Sequence, residues 1–173
     1  MTTSTAPAID DLLAAPADPA GLRGAFARFP SGLVAVAARV GDAPHGLVVA
    51  SFVPVSLDPA LVAICVQHTS STWPKLQTAA KIGVSLLGQE QHGEARSLGG
   101  RGDRFADVDV HDGRHGAVFV GGAAAWIEAT IHTEVPAGDH LVVLLRVDRI
   151  ASNPDAEPLV FHGSSFRRLV AAG

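Results

Sequence analysis

Two long apolar runs, residues 123–135 and 141–150, are interrupted only by Pro136-Ala-Gly-Asp-His140. A break that short, holding Gly and Asp, lets the chain reverse and little else, so the two runs lie side by side as an antiparallel hairpin. A hairpin of that length leaves two edges and an apolar face that further strands must cover. The rest of the chain supplies them. Residues 32–40 form an apolar run, Gly41-Asp-Ala-Pro-His-Gly46 breaks it, and residues 47–56 resume it as a second hairpin. Asp58-Pro59 then turns the chain into residues 60–67, a nearly continuous apolar run predicted to be a strand buried on both faces. Cys65 lies within that run, where a thiol serves as core filling. Residues 82–87 and 159–169 complete the set.

Helical signals are short and stand outside this series. Asp18 precedes Pro19, an N-cap followed by a first-turn proline, and Leu22, Ala25, Phe26 and Phe29 recur at helical spacing. Pro30, Ser31 and Gly32 stop that helix. Thr72 is placed to cap a second helix reaching Ala80, and residues 89–98 form a third, stopped by Gly99 and Gly100. Residues 101–121 show no periodicity, and a connection of that length in one domain carries function or mobility. Strands joined mostly by hairpins, with helices outside them, predict a mainly β fold with peripheral helices, an antiparallel barrel. No Gly-x-Gly-x-x-Gly follows a strand, so no Rossmann unit is visible.

A chain of 173 residues suits one domain, expected over residues 18–173. Residues 1–17, rich in Ala, Thr and Pro, are expected to be a flexible tail in which Ile9, Leu12 and Leu13 mark a short amphipathic turn. A formal net charge of -4 gives no footprint for a phosphate backbone or an anionic bilayer, so neither nucleic acid nor membrane is an expected partner. No window approaches the roughly 20 apolar residues that span a bilayer, the first residues lack a signal peptide's basic start, and the expected location is cytoplasmic. His111 and His115 stand four apart without a further ligand, and no metal is expected.

Seven motifs occur in a fixed order: Phe26-Ala-Arg-Phe-Pro-Ser-Gly-Leu-Val-Ala-Val36, Gly46-Leu-Val-Val-Ala-Ser-Phe52, Val55-Ser-Leu-Asp-Pro59, Ser70-Ser-Thr72, Asp103-Arg-Phe105, Ala137-Gly-Asp-His140, and Pro158-Leu-Val-Phe-His162 with Phe166-Arg-Arg-Leu169. Together they resemble the flavin reductase family, whose fold is the antiparallel split β-barrel of FMN-binding type. The resemblance covers residues 22–169. It implies an NAD(P)H:flavin oxidoreductase that moves hydride from NADH or NADPH to FMN or FAD and supplies reduced flavin to a partner monooxygenase. It also implies a homodimer with the flavin near the subunit interface. The alternative is a non-catalytic flavin- or haem-binding split barrel, and the intact Asp139-His140 pair favours the enzyme.

By that resemblance Val49, Ala50, Ser51 and Phe52 line a flat slot, with backbone groups and the Ser51 hydroxyl bonding the ring edge. Pro30, Ser31, Gly32, Ser56, Gln67 and Phe166 join the cofactor-binding set. Judged on composition alone, residues 49–52 read as a packed strand and Pro30-Ser31-Gly32 as a helix stop, and it is the ordered neighbouring motifs that favour the site. Ser70, Ser71 and Thr72 offer hydroxyls and N–H groups to a flavin phosphate at a helix start, with Lys75 one turn in. The same residues also read as a loop ending in a cap. His140 and Asp139 are the expected catalytic pair: His140 contacts the nicotinamide or a flavin edge, balancing negative charge or delivering a proton, and Asp139 shapes the turn rather than reacting itself. Val48 departs from the Thr or Ser, and Gln67 from the Asn, that the family favours. A lost hydrogen bond is worth about 1 kcal/mol, so these departures alter affinity rather than activity. Gly99, Gly100 and Gly102 mark a loop able to move over the nicotinamide site.

Overall fold

The computed structural model describes residues 8–13, 15 and 18–170. Short helices α1 (Ile9–Leu12) and α2 (Pro19–Phe26) lead into β1 (Ser31–Gly32), β2 (Val34–Val40) and β3 (Ala43–Val49). β4 (Val53–Leu57) and β5 (Ala60–Gln67) precede α3 (Trp73–Leu76), β6 (Ile82–Leu86) and α4 (His92–Gly99). β7 (Val110–Asp112), a 3-10 turn and β8 (Val118–Val120) follow, then β9 (Ala125–Ala137), β10 (His140–Ser152), β11 (Val160–His162) and β12 (Ser165–Arg167). The fold is mainly β. Seven strands form one antiparallel sheet in the order β3-β2-β6-β9-β10-β5-β4, β1, β11 and β12 form a second, and β7 pairs with β8.

The long hairpin closes more tightly than expected. Ala137 pairs with His140, leaving Gly138 and Asp139 as a two-residue turn. Gly138 has φ +64°, the positive angle that a glycine-first hairpin reversal demands. Pro136 stays inside β9 because β6 reaches only as far as Ala129, so its missing N–H breaks no ladder on that side. His140 thereby becomes the first residue of β10 and lies opposite Gln67 of β5.

β2 is covered on both faces. Val34, Val36 and Ala38 pack with Ile64, Ile82, Val84, Ile127, Val143 and Leu145 on one side. Ala35, with Leu33, packs on Leu87, Ala95, Leu98, Val120 and Leu159 on the other. Each large aliphatic side chain so buried is worth about 1.5–3 kcal/mol against exposure, which makes β2 the spine of the molecule. β8 crosses over β6 at Gly83, where a Cβ would collide with the Val118 carbonyl.

Several expectations need correction. Residues 47–56 are not one strand: β3 and β4 are opposite edges of the seven-stranded sheet, and residues 50–52 carry the chain between them. No Gly or Pro marks that break. β5 buries Val62, Ile64 and Val66, whereas Leu61, Ala63 and Cys65 on its other face are only partly covered, because that face has no second layer over its whole length. Thr72 makes no cap bond; the Ser70 hydroxyl accepts the Trp73 N–H at 3.2 Å instead. α3 ends at Leu76, well short of Ala80. The connection 101–121 contains β7 and β8, which are too short to leave a periodic trace. Asp18 caps α2 as expected, accepting from Gly21 N at 2.7 Å, and α1 forms where the amphipathic turn was read. Residues 1–7, 14, 16 and 17 of the expected tail lie outside the described residues. Among those described, no helix is long and apolar enough to cross a membrane.

Candidate functional site

The segment that crosses between the sheet edges is held by one side chain. Ser51 Oγ accepts from Cys65 N at 2.8 Å and donates to Cys65 O at 3.2 Å, continuing with a hydroxyl the ladder that β4 makes with β5. Its single proton is thus committed to the backbone. Above this bridge opens a cleft of about 980 Å³, floored by Val48, Val49, Ala50 and Ser51 and flanked by Cys65 and Gln67. Ala27, Phe29 and Ser31 contribute another wall, with Phe161, His162 and Ser164 from the β11–β12 hairpin.

The loop after β5 brings Ser70, Ser71 and Thr72 to the cleft, and the buried Trp73 and Leu76 anchor it. Trp73 Nε1 donates to Glu134 at 2.7 Å, fixing the start of α3 on β9. Against Thr72 lies Arg104. Its Nε donates to Gly100 O at 2.8 Å, and its Nη1 donates to Gly46 O and to Thr72 Oγ1, each at 3.0 Å. None of the ion pairs among the described residues includes Arg104. A half-buried guanidinium satisfied only by neutral acceptors keeps its charge for an anion entering the cleft.

His140 lines the cleft from the first position of β10. Its Nδ1 lies 2.7 Å from Asp139 Oδ1, which leaves Nε2 as the ring atom that can serve a ligand. The hydrogen bond to His140, followed by its charge, holds the Asp139 carboxyl below the usual carboxylate range. Asp139 is exposed and does not line the cleft; it orients the ring. The turn is further tied to the loop by His68 N donating to Asp139 O at 3.1 Å.

The structure therefore gathers Ser31, Val49, Ala50, Ser51, Gln67, Ser70, Ser71, Thr72 and His140 around one cavity. Pro30 and Gly32 flank Ser31 without lining it. Phe52 packs against the main core, and Ser56 lies farther along β4. Lys75 faces a second cleft instead. Phe166 packs tilted at 60° against Phe161, 5.7 Å between ring centres, and lies under the Arg96 guanidinium, lining a separate small apolar recess. With α3 only four residues long, the expected helix dipole is slight, and the hydroxyls with Arg104 take its place. Arg104 is the residue that sequence reasoning missed: it appeared only inside Asp103-Arg-Phe105. The signal was there, since an arginine between Gly99, Gly100, Gly102 and an aromatic sits in a loop that lets its guanidinium approach backbone carbonyls.

A floor of small side chains, three hydroxyls and an unpaired cation fit a planar ligand with an anionic tail, and the volume suits one of that size. The arrangement has the shape and chemistry that a nucleotide-like ligand would need on a β scaffold. The family comparison gives the class its name: the model for a flavin reductase like domain matches residues 26–170, and the chain belongs to that family. The chain is 35% identical to the NADH:FAD oxidoreductase SgcE6 of Streptomyces globisporus C-1027, solved in complex with NAD and FAD fragments, with a TM-score of 0.85 over 91% of this chain and 96% of that one. It is 34% identical over 146 residues to the reductase component of 4-hydroxyphenylacetate 3-monooxygenase of Thermus thermophilus, covering 84% of this chain and 93% of that one. It is also 34% identical over 159 residues to the actinorhodin polyketide dimerase of Streptomyces coelicolor, covering 90% and 89%.

Proposed function

We propose that this chain is a flavin reductase that passes hydride from a reduced nicotinamide to FMN or FAD and supplies reduced flavin to a partner monooxygenase. The observation that carries the proposal is the unpaired Arg104 guanidinium beside Thr72, at the wall of a cleft floored by small residues. NADH is named as the donor in relatives such as the NADH:FMN oxidoreductase of Rhodococcus erythropolis, 29% identical, and is the donor proposed here.

Bound flavin supplies the ring that accepts hydride. The protein's own part is to bind, orient and exclude water. Ala50 and Ser51 let backbone groups approach a ring edge, and the Ser51 hydroxyl, its proton given to Cys65 O, can serve that edge only as an acceptor. Ser70, Ser71, Thr72 and Arg104 hold the phosphate. His140, with Nδ1 fixed by Asp139, holds or delivers a proton through Nε2.

The proposal extends to a domain beginning at Asp18, a homodimer, and a split barrel in which the edges β3 and β4 curl toward each other. Support for the barrel comes from residues 50–52, which join those edges and are tied to β5 by Ser51. Support for the dimer comes from Phe26 and Phe29, 69% and 76% exposed beside the cleft, and from Leu57, 97% exposed on edge strand β4. Light scattering tests the dimer.

Titration with FMN and FAD, followed by addition of NADH, tests the activity. Flavin-dependent NADH oxidation is the expected outcome. Flavin binding without oxidation would make the chain a non-catalytic flavin carrier, and no binding would remove the proposal.

A further inference from the structure

A second cleft, of about 510 Å³, meets the first at Ser71, Thr72, Arg101 and Arg104. Its cations Lys75, Arg101 and Arg104 face a single carboxylate, Asp103, whose Oδ1 already accepts the Phe105 N–H at 3.1 Å. Neither Lys75 nor Arg101 takes part in an ion pair among the described residues. The cleft is therefore net positive without a ligand. It also has flat walls. The Phe105 ring lies against Gly46, where a Cβ would come within 2.8 Å of it, and His45 stands beside it. Burial, then the nearby Lys75 charge, push the His45 imidazole below its ordinary value, which leaves it a neutral ring at pH 7.

Cations, flat rings and a volume of this size match one chemistry: an adenosine joined to phosphate. FAD and the nicotinamide dinucleotides both carry that group, and the seam between the clefts decides between them. Thr72 and Arg104, which take the flavin's own phosphate in the function proposed above, form part of that seam. FMN ends at its phosphate. A flavin that continues beyond it runs into the second cleft.

We infer that this second cleft receives the adenosine phosphate half of FAD, so that the chain binds FAD more tightly than FMN. Lys75 and Arg101 contact the second phosphate, and Phe105 with His45 flank the adenine. The inference rests on the flavin-reducing function, and its test is built to fail separately.

The dissociation constants of FAD and FMN, and the KM for NADH, are measured on the wild-type protein and on Lys75→Gln. Lys75 is exposed and faces only the second cleft, so the fold should tolerate its loss. Loss of one charge-assisted contact is worth about tenfold. The wild type is expected to bind FAD about tenfold more tightly than FMN, and Lys75→Gln to weaken FAD about tenfold while FMN changes less than about threefold. Equal affinity for the two flavins, or equal weakening of both, would overturn the inference and leave flavin reduction intact. A raised KM for NADH with unchanged FAD binding would overturn it too, by giving the cleft to the nicotinamide dinucleotide. Absence of binding by either flavin would overturn both.

Discussion

Arg104 Nη1 donates to Thr72 Oγ1 at 3.0 Å across 32 residues of chain. The same guanidinium holds the carbonyls of Gly46 and Gly100, so one side chain joins β3, the loop after α4 and the loop before α3. All three partners are neutral, and partial burial lets the charge act more strongly than it would in water.

Arg104→Gln should therefore lower both affinity and stability. Losing the cation is expected to weaken flavin binding at least about tenfold, and losing hydrogen bonds worth about 1 kcal/mol each to lower the melting temperature by several degrees. Fluorescence titration and thermal unfolding check the two effects. Unchanged flavin affinity would take Arg104 out of the site.

His140→Ala is expected to slow turnover by about tenfold to a hundredfold while flavin affinity changes less than about threefold, because the ring moves or holds a proton rather than binding the phosphate. Asp139→Asn should have a milder effect with a defined pH dependence. The Asp139 carboxyl is held below its usual range by His140, so it stays ionised, and keeps orienting the ring, at all pH values above that range. Wild type and Asp139→Asn should differ in rate at neutral pH and converge only in acid, as Asp139 itself protonates. Parallel profiles throughout would assign Asp139 to the turn alone.

Much of this site was legible because turn chemistry and apolar runs leave clear marks. Pro136-Ala-Gly-Asp-His140 between two long runs announced the hairpin that puts His140 at the start of β10. The ordered motifs pointed to the cleft floor at residues 49–51 and to its hydroxyls. What stayed hidden depends on contacts between distant segments. The break at residues 50–52 is invisible in a continuous apolar stretch, because it is imposed by two sheet edges rather than by a local turn. Ser70 and Thr72 are equally good caps by composition, and in the structure Ser70 takes the Trp73 N–H while Thr72 accepts from the distant Arg104. Cys65 looked like core filling since β5 is apolar throughout, yet one face of that strand is cleft.

Ser51→Ala should cost about 1–3 kcal/mol in unfolding free energy, because it leaves the Cys65 N–H and carbonyl without their partner. Urea denaturation measures the loss. If the hydroxyl instead bonded the flavin, affinity would fall with stability unchanged.

Asp148 of β10 binds Thr130 Oγ1 of β9 at 2.6 Å, Lys81 Nζ just ahead of β6 at 2.8 Å, and Arg146 Nε of its own strand at 3.2 Å. Burial alone would raise its pKa, but these hydrogen bonds and the Lys81 charge outweigh that, and the net shift is downward. A carboxyl lowered by folding stabilises the protein above its unfolded pKa, and that contribution is lost as the pH falls through the lowered value. Asp148→Asn is expected to destabilise by about 1 kcal/mol at pH 7 and to approach wild-type stability in strong acid. Denaturation across that pH range checks the sign; a constant difference would place the effect in packing.

Anaerobic mixing of the protein with FAD and NADH, followed at the flavin's visible absorption band, tests hydride transfer in the cleft most directly. The band should bleach many times faster than in a protein-free mixture, and below saturating FAD the Arg104→Gln variant should bleach it more slowly. Bleaching at the protein-free rate by the folded wild-type chain would contradict the assignment of this cleft to flavin reduction.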